Sequence, residues 1–202
     1  AGKKYHFISE EQHLFDEKET LPKGFVMVSS HVGNYEMAGY SLRPKIKRYN
    51  ALVFSGETEM VMENRQRLLS QNNIRMVPVK EDLSHLFLLN TALDDGEIVS
   101  MPADRIYGSQ KTVECQFFGH PAPFPLGAFA TAVQKEVDVI AVFVMKEGLR
   151  TYRIFLKEIA YDKNLRKREQ MSQLAQNFAT QLEDIVRLYP TQWFNYFDFW
   201  KQ

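Results

Sequence analysis

The sequence has little of several features, and each scarcity excludes a class of protein. One cysteine, Cys115, among 202 residues excludes an internal disulfide and a cage of thiolates around a metal. Lysine and arginine together number 25, and so do aspartate and glutamate. The resulting net charge of zero excludes a nucleic-acid-binding surface that depends on overall positive charge. We therefore expect no nucleic acid among the partners of this protein.

Long hydrophobic runs are also missing. The longest stretch without a charged residue, 115–134, contains Pro121, Pro123 and Pro125, which would break it as a helix. The first residues lack the apolar core of a secretory signal. The length suits one domain over residues 1–202. Because the chain starts without Met, we expect it to be cut from a longer protein.

The short motifs of many enzyme classes are absent. The sequence contains no H-E-x-x-H, no C-x-x-C, no G-x-x-x-x-G-K-[ST], no G-x-G-x-x-G and no G-x-S-x-G. A zinc centre, a nucleotide site and the nucleophile elbow of a serine hydrolase are therefore unsupported. We predict no metal and no bound cofactor.

Short β-rich runs alternate with longer helical patterns, which predicts an α/β fold with a mixed, largely parallel central sheet covered by helices. The apolar run 137–145 is typical of a strand buried on both faces. The proline-rich segment 119–126 is predicted as a loop. The other predicted strands lie at 25–29, 49–54, 75–79, 97–101, 113–118 and 150–158, and the helices at 57–71, 82–94, 126–136 and 167–188.

The string SSHVGNYE (residues 29–36) lies where the strand 25–29 gives way to a helix that we expect to open near Asn34. Ligands of open α/β sheets bind at the carboxyl ends of the strands, so His31 should face a cleft. A hydrogen bond from one ring nitrogen to Glu36 would fix the tautomer and leave the other nitrogen free to take a proton. The alternative is a histidine that merely caps the helix.

The glycine and asparagine of this string favour the functional interpretation. Gly33 permits a positive φ and close approach of the backbone. The N–H groups that follow it would point out of a helix N-terminus, which suits a developing oxyanion. We therefore predict that Gly33 and Asn34 contact the substrate.

Three boxes in order resemble a known family. SSHVGNYE resembles the H-x4-[D/E] box of glycerolipid-type acyltransferases, in the form found in the late (lauroyl/myristoyl) acyltransferases of lipid A biosynthesis. Residues 103–105 (ADR) with the segment 117–127 resemble the second region of that family, and 189–193 (YPTQW) resemble its terminal box. The resemblance covers roughly residues 25 to 200.

The resemblance implies a glycerolipid acyltransferase-like fold and transfer of a fatty acyl chain. The donor would be a thioester of acyl carrier protein or coenzyme A, and the acceptor a hydroxyl of a lipid A precursor or related membrane lipid. It also implies a membrane surface as partner, at the cytoplasmic face of the inner membrane of a Gram-negative bacterium. From the resemblance we expect the N-terminal membrane-associated segment of the family to be missing from this chain.

The resemblance also implies roles for individual residues. His31 would be the general base and Glu36 its orienting partner. Arg65 or Arg67 would bring a cation toward the acceptor. Asp104 and Arg105 would lie near the phosphate or sugar of the acceptor.

Other interpretations stay open at this point. The chain could be a non-catalytic lipid- or carrier-binding module on the same scaffold, or a thioesterase that uses the same base on water. Cys115 lies inside an alternating strand and is predicted to be a buried structural thiol rather than an acyl-enzyme nucleophile. For the aromatic residues of 117–129 and 193–200 we favour packing in the core over a surface that contacts lipid.

Overall fold

The computed structural model describes residues 5–42, 44–53, 73–107 and 111–202. Its strands are β1 (His6–Ser9), β2 (Phe25–Ser29), β3 (Tyr49–Val53), β4 (Ile74–Pro78), β5 (Ile98–Pro102), β6 (Thr112–Phe117), β7 (His120–Pro125), β8 (Val139–Lys146) and β9 (Thr151–Glu158). The α-helices are α1 (Gln12–Thr20), α2 (Met37–Leu42), α3 (Ser84–Asp94), α4 (Gly127–Lys135) and α5 (Lys167–Leu188). Two 3₁₀ turns follow, at Pro190–Gln192 and Phe199–Lys201. The predicted helix 57–71 lies outside the described residues.

Seven strands form one sheet in the order β1-β9-β8-β2-β5-β3-β4. The pairs β8·β2, β2·β5, β5·β3 and β3·β4 are parallel, and β1 pairs parallel with β9. Among the strands that the structure describes, β8 and β9 are the one antiparallel pair of this sheet. The predicted α/β class with a largely parallel sheet is confirmed. In such a sheet the carboxyl ends of neighbouring parallel strands meet at one edge.

Helices cover both faces of this sheet. On β2, Val26 and Val28 belong to one buried cluster, and Phe25 and Met27 belong to the other. Because successive side chains of a strand point to opposite faces, a strand that is apolar throughout is buried on both sides. Helices α3, α4 and α5 pack on the first face, and α1 and α2 on the second. No helix in the described ranges has the length and apolar character needed to span a bilayer.

The proline-rich segment is a strand, so its prediction as a loop was wrong. β7 pairs antiparallel with β6, and the three prolines lie opposite residues 116, 114 and 112. In an antiparallel pair only alternate residues donate to the partner strand. The prolines occupy the positions that do not donate, so the ribbon loses no hydrogen bond. Phe118 and Gly119, with φ of 51° and 76°, form the tight turn between the two strands.

The predicted packing of aromatic side chains in the core is confirmed for three phenylalanines of the segment 117–129. Phe117, Phe124 and Phe129 are fully buried. The ring of Phe117 lies 5.8 Å from that of Trp193 and 5.2 Å from that of Phe199. The ribbon β6·β7 and the C-terminal segment therefore share one aromatic cluster.

The helix after β2 starts later than predicted. α2 begins at Met37, not near Asn34. The backbone at Gly33 forms a parallel bridge with Val144 of β8, and the N–H of Asn34 donates to Val144 O at 2.8 Å. The chain thus continues its pairing with β8 past the end of β2, and only then turns into the helix.

Candidate active site

Two neighbouring strands bring His31 and Asp104 together. β2 and β5 pair in parallel, with Ser29 opposite Pro102. The N–H of Ala103 donates to Ser29 O at 2.9 Å and extends this pairing. His31 lies two residues beyond Ser29, and Asp104 two beyond Pro102. Because each residue lies two positions beyond a member of the pair Ser29 and Pro102, both lie at the carboxyl edge of the sheet. They are 73 positions apart in the sequence.

Both oxygens of the Asp104 carboxylate contact His31. Oδ1 lies 2.8 Å from Nδ1 of the ring, and Oδ2 accepts the backbone N–H of His31 at 2.8 Å. A carboxylate only accepts, so this contact requires the proton on Nδ1 and leaves a lone pair on Nε2. The side chain of Asp104 is 1% exposed and that of His31 is 21% exposed. The arrangement is a buried carboxylate behind an imidazole that solvent reaches.

Glu36 lies in the turn that precedes α2, and its side chain is exposed. The ring of its neighbour Tyr35 meets the imidazole of His31 edge to face, with centroids 5.1 Å apart. The predicted orientation of His31 by Glu36 stays a prediction. The structure adds Asp104, which already occupies Nδ1.

The predicted place of Asp104 and Arg105 near the phosphate or sugar of the acceptor stays a prediction. The carboxylate of Asp104 is buried and bonded to His31. The guanidinium of Arg105 donates to the carbonyl oxygen of Phe194 at 2.6 Å and lies 5.5 Å from the centroid of the Phe197 ring. Arg105 therefore fastens the C-terminal segment to the loop after β5.

The backbone N–H groups of Gly33 and Asn34 both have acceptors within the protein, and the predicted contact of these two residues with a substrate stays a prediction. The N–H of Gly33 donates to Gln192 O at 2.8 Å, and that of Asn34 donates to Val144 O. Gly33 has a φ of +65°, and a Cβ there would lie 2.3 Å from the carbonyl oxygen of Val144. The glycine is needed because the loop passes against β8.

A cleft of about 520 Å³ opens beside this loop. Gly33 and Asn34 line it. Its other walls are Lys146, Tyr152, Gln192 and Phe194. Of these, only Gln192 lies in a sequence box noted above. Lys146 and Tyr152 stand on an antiparallel hairpin and carry no motif that could have marked them.

Gln192 and Trp193 connect the C-terminal segment to the site. The side chain of Gln192 accepts the N–H of Lys146 at 2.9 Å and donates to the carbonyl oxygen of Lys146 at 2.9 Å. Trp193 forms an antiparallel bridge with Val32. The terminal box thus forms one wall of the cleft and holds the His31 loop against β8.

One family matches the chain over almost its whole length. The model of the bacterial lipid A biosynthesis acyltransferase family covers residues 3–202. The chain belongs to this family. The predicted family and the prediction of an O-acyltransferase are thereby confirmed. The comparison with curated proteins gives no match.

Two other predictions for this lipid A biosynthesis acyltransferase have different outcomes. Arg65 and Arg67 lie outside the described residues. Cys115 is 1% exposed, and burial raises the pKa of its thiol to about 12, so the prediction of a buried structural thiol is confirmed. Within residues 5–42, 44–53, 73–107 and 111–202, no three His, Cys, Asp or Glu side chains form a group that could hold a metal ion.

Proposed function

We propose that this acyltransferase moves a fatty acyl chain from a thioester to a hydroxyl of a lipid A precursor or related membrane lipid, with His31 as general base. The observation that carries the proposal is the imidazole of His31 at the carboxyl edge of the sheet. Its Nδ1 is bonded to a buried carboxylate, and its ring is partly exposed. This is the arrangement that a general base needs to accept a proton at Nε2.

The reaction follows from this geometry. Nε2 of His31 accepts the proton of the acceptor hydroxyl while the oxygen attacks the carbonyl carbon of the thioester. The tetrahedral intermediate then expels the thiol sulfur, and the imidazolium returns the proton to it. An ester forms, the thioester bond breaks, and the histidine is regenerated. Cys115 takes no part because its thiol is buried and protonated.

The cleft supports a thioester donor carried by acyl carrier protein or coenzyme A. Both carriers present their thiol on a phosphopantetheine arm, which has a phosphate. Lys146 gives the cleft a positive charge two residues beyond Val144, the residue that holds the His31 loop. A lysine ammonium binds phosphate as a point charge. We assign the phosphate of the donor to the end of the cleft at Lys146.

The first prediction concerns His31. Replacement of His31 by Ala should lower the turnover of radiolabelled acyl chains onto lipid A precursor by about 10²–10⁴-fold, the range for loss of a general base. Each variant is assayed with acyl carrier protein and with coenzyme A as donor. His120→Ala changes an exposed histidine on the β6·β7 ribbon and serves as the matched control. Unchanged turnover in His31→Ala would remove the proposal.

Two alternatives have distinct signatures in the same assay. A thioesterase would release free fatty acid without an acceptor, and His31→Ala would abolish this release. A lipid- or carrier-binding module would bind donor or lipid without turnover. Family membership and the exposed ring of His31 favour transfer over both.

We also propose that the acceptor is met at a membrane surface, the cytoplasmic face of the bacterial inner membrane. Aromatic side chains beside the site support this proposal. Tyr196 is 88% exposed, and Phe194 and Phe197 are each 43% exposed. Arg105 and the bridge at Trp193 fix this aromatic segment to the two loops that carry His31 and Asp104. Aromatic rings are favoured at the boundary between lipid headgroups and acyl chains.

The second prediction concerns this segment. A Phe194→Ser/Tyr196→Ser double variant should co-sediment less with vesicles of anionic phospholipid than the parent, because it loses apolar area at the bilayer boundary. Ile46→Ser is the control. Ile46 is 65% exposed but precedes β3, at the opposite edge of the sheet from His31. Equal loss in both variants would contradict the assignment of the membrane contact to the C-terminal segment.

A further inference from the structure

The carboxylate of Asp104 is buried, and hydrogen bonds hold both of its oxygens in place. Asp104 as a whole is 0% exposed. One carboxylate oxygen accepts the backbone N–H of His31, and the other accepts from the ring Nδ1 of His31. The chain around it is held at several points. Ala103 pairs with Ser29, and Gln202 Nε2 donates to the carbonyl oxygen of Asp104 at 3.1 Å. A carboxylate held in this way fixes both the rotation and the tautomer of the ring.

Each ring nitrogen of a neutral imidazole has one role. Nδ1 carries the proton that faces Asp104, so Nε2 is the nitrogen left for the substrate hydroxyl. A carboxylate at Nε2 would compete with that hydroxyl. Glu36 would therefore have to displace Asp104 from Nδ1 in order to orient the base. The second oxygen of Asp104 accepts the backbone N–H of His31, which opposes this displacement.

We propose that Asp104, rather than Glu36, is the positioning carboxylate of His31. This proposal rests on the proposed role of His31 as general base. Asp104 holds the Nδ1–H tautomer and stabilises the imidazolium that forms when Nε2 takes the proton of the hydroxyl. Glu36 then acts on some group other than Nδ1. The pair is assembled by the pairing of β2 with β5 and not by the spacing within one helix turn.

The direct measurement is the position of the ring proton of His31 in the parent protein. ¹⁵N–¹H NMR of histidine rings, with His31 assigned by comparison with His31→Gln, reports which ring nitrogen carries the proton. We expect the Nδ1–H tautomer for the neutral ring. An Nε2–H tautomer would overturn the proposal.

Asp104→Asn supplies the second test. An amide has one acceptor oxygen, so when this oxygen takes the backbone N–H of His31 its NH₂ group faces Nδ1 and selects the opposite tautomer. We expect the ring proton to move to Nε2 and kcat to fall by about 10²–10⁴-fold, with KM little changed. Glu36→Gln is the matched carboxylate-to-amide variant and should leave the tautomer as in the parent. A merely structural role of Asp104 would lower the yield of folded protein without moving the ring proton of the folded fraction.

The outcomes separate this inference from the function on which it rests. Loss of activity in His31→Ala together with full activity in Asp104→Asn would overturn the role of Asp104 and keep the general base. A change of tautomer in Glu36→Gln but not in Asp104→Asn would give the positioning role to Glu36. Full activity in His31→Ala would remove the proposed function itself.

Discussion

Gly33 shows how little freedom a single residue has in the loop that carries His31. Its φ of +65° is a conformation in which a side chain is strained, and its missing Cβ makes room for the carbonyl oxygen of Val144. That oxygen also accepts the N–H of Asn34, so it cannot move aside without loss of a hydrogen bond. The position of His31 therefore depends on a glycine two residues away.

The third prediction separates backbone strain from steric clash. Gly33→Ala should lower the free energy of unfolding by about 2–4 kcal/mol, because it adds a clash to the strain of a left-handed residue. Gly119→Ala adds the same kind of strain, because Gly119 has a φ of +76°. A Cβ placed there would have no neighbouring atom within 4 Å. We expect about 1 kcal/mol for this control. Urea unfolding measures the loss of free energy of unfolding in both variants. Equal losses would show that the close approach of Gly33 to β8 does not add to the cost of the substitution.

Local sequence was sufficient to select His31 as the proposed base, because a histidine with glycine and an acid lies in a strand-to-helix turn. It could not predict the contact of His31 with Asp104. The contact of Asp104 with His31 arises from a parallel pairing between segments 73 positions apart. A pattern that relates a residue to its neighbours five positions away finds Glu36 and has no means of finding Asp104.

At the scale of elements, the turn Pro190–Gln192 connects the C-terminal segment to β8 and to the loop that carries His31. We use the word clasp for a glutamine side chain that bonds both the N–H and the carbonyl oxygen of one strand residue. The side chain of Gln192 bonds the N–H and the carbonyl oxygen of Lys146 at the end of β8. The backbone carbonyl oxygen of Gln192 accepts the N–H of Gly33. An equivalent clasp lies in another part of the molecule. Gln176 on α5 accepts the N–H of Gln116 at 2.8 Å and donates to its carbonyl oxygen at 3.0 Å.

The fourth prediction uses these two clasps as a matched pair. Gln192→Ala and Gln176→Ala each remove two hydrogen bonds to a strand backbone and should each cost about 1–3 kcal/mol of stability. Only Gln192→Ala should also lower acyl transfer, because only Gln192 lines the cleft and holds the His31 loop. Stability is measured by urea unfolding and activity by the labelled-acyl assay. A comparable loss of activity in Gln176→Ala would show that stability alone explains the effect.

The elements that sequence predicts best are those with a long, regular pattern. Helix α5 (Lys167–Leu188) has the predicted bounds. The strand β7 was missed because its three prolines suggest a loop, and only the pairing with β6 shows that they occupy non-donating positions. Strand β1 was missed because it has only four residues. Helix α1 was missed because it is mostly polar, and Phe15 is its one buried apolar side chain.

At the scale of the whole molecule, several carboxyl groups tie separate elements together. Glu183 of α5 accepts from Arg187 and from the N–H of Phe118 in the β6·β7 turn, and these bonds lower its pKa. Burial by itself raises the pKa of Asp138, but the hydrogen bonds and charges of Lys18 and Lys163 together outweigh this effect, and the pKa is lowered. Ionisation of these groups therefore favours the folded state.

The fifth prediction is a loss of stability in acid. A carboxyl whose pKa is lower in the folded protein contributes fully above its unfolded pKa, which is about 4, and the contribution is lost as the pH falls below that value. The urea midpoint should therefore fall steadily from pH 5 to pH 3. Glu183→Gln should flatten this slope, while Asp184→Asn, at an exposed neighbour on the same helix, is the control. An identical slope in Glu183→Gln would contradict the contribution of Glu183.

The clasp at Gln192 also has a consequence for synthesis. During translation His31 and Asp104 leave the ribosome well before residues 190–193, which close the cleft and secure the loop. A chain that ends before residue 190 contains His31 and Asp104 but not the turn that joins the His31 loop to the end of β8. The hydrogen bonds that hold the His31 loop against this turn can therefore form only after residue 192 has been added to the chain.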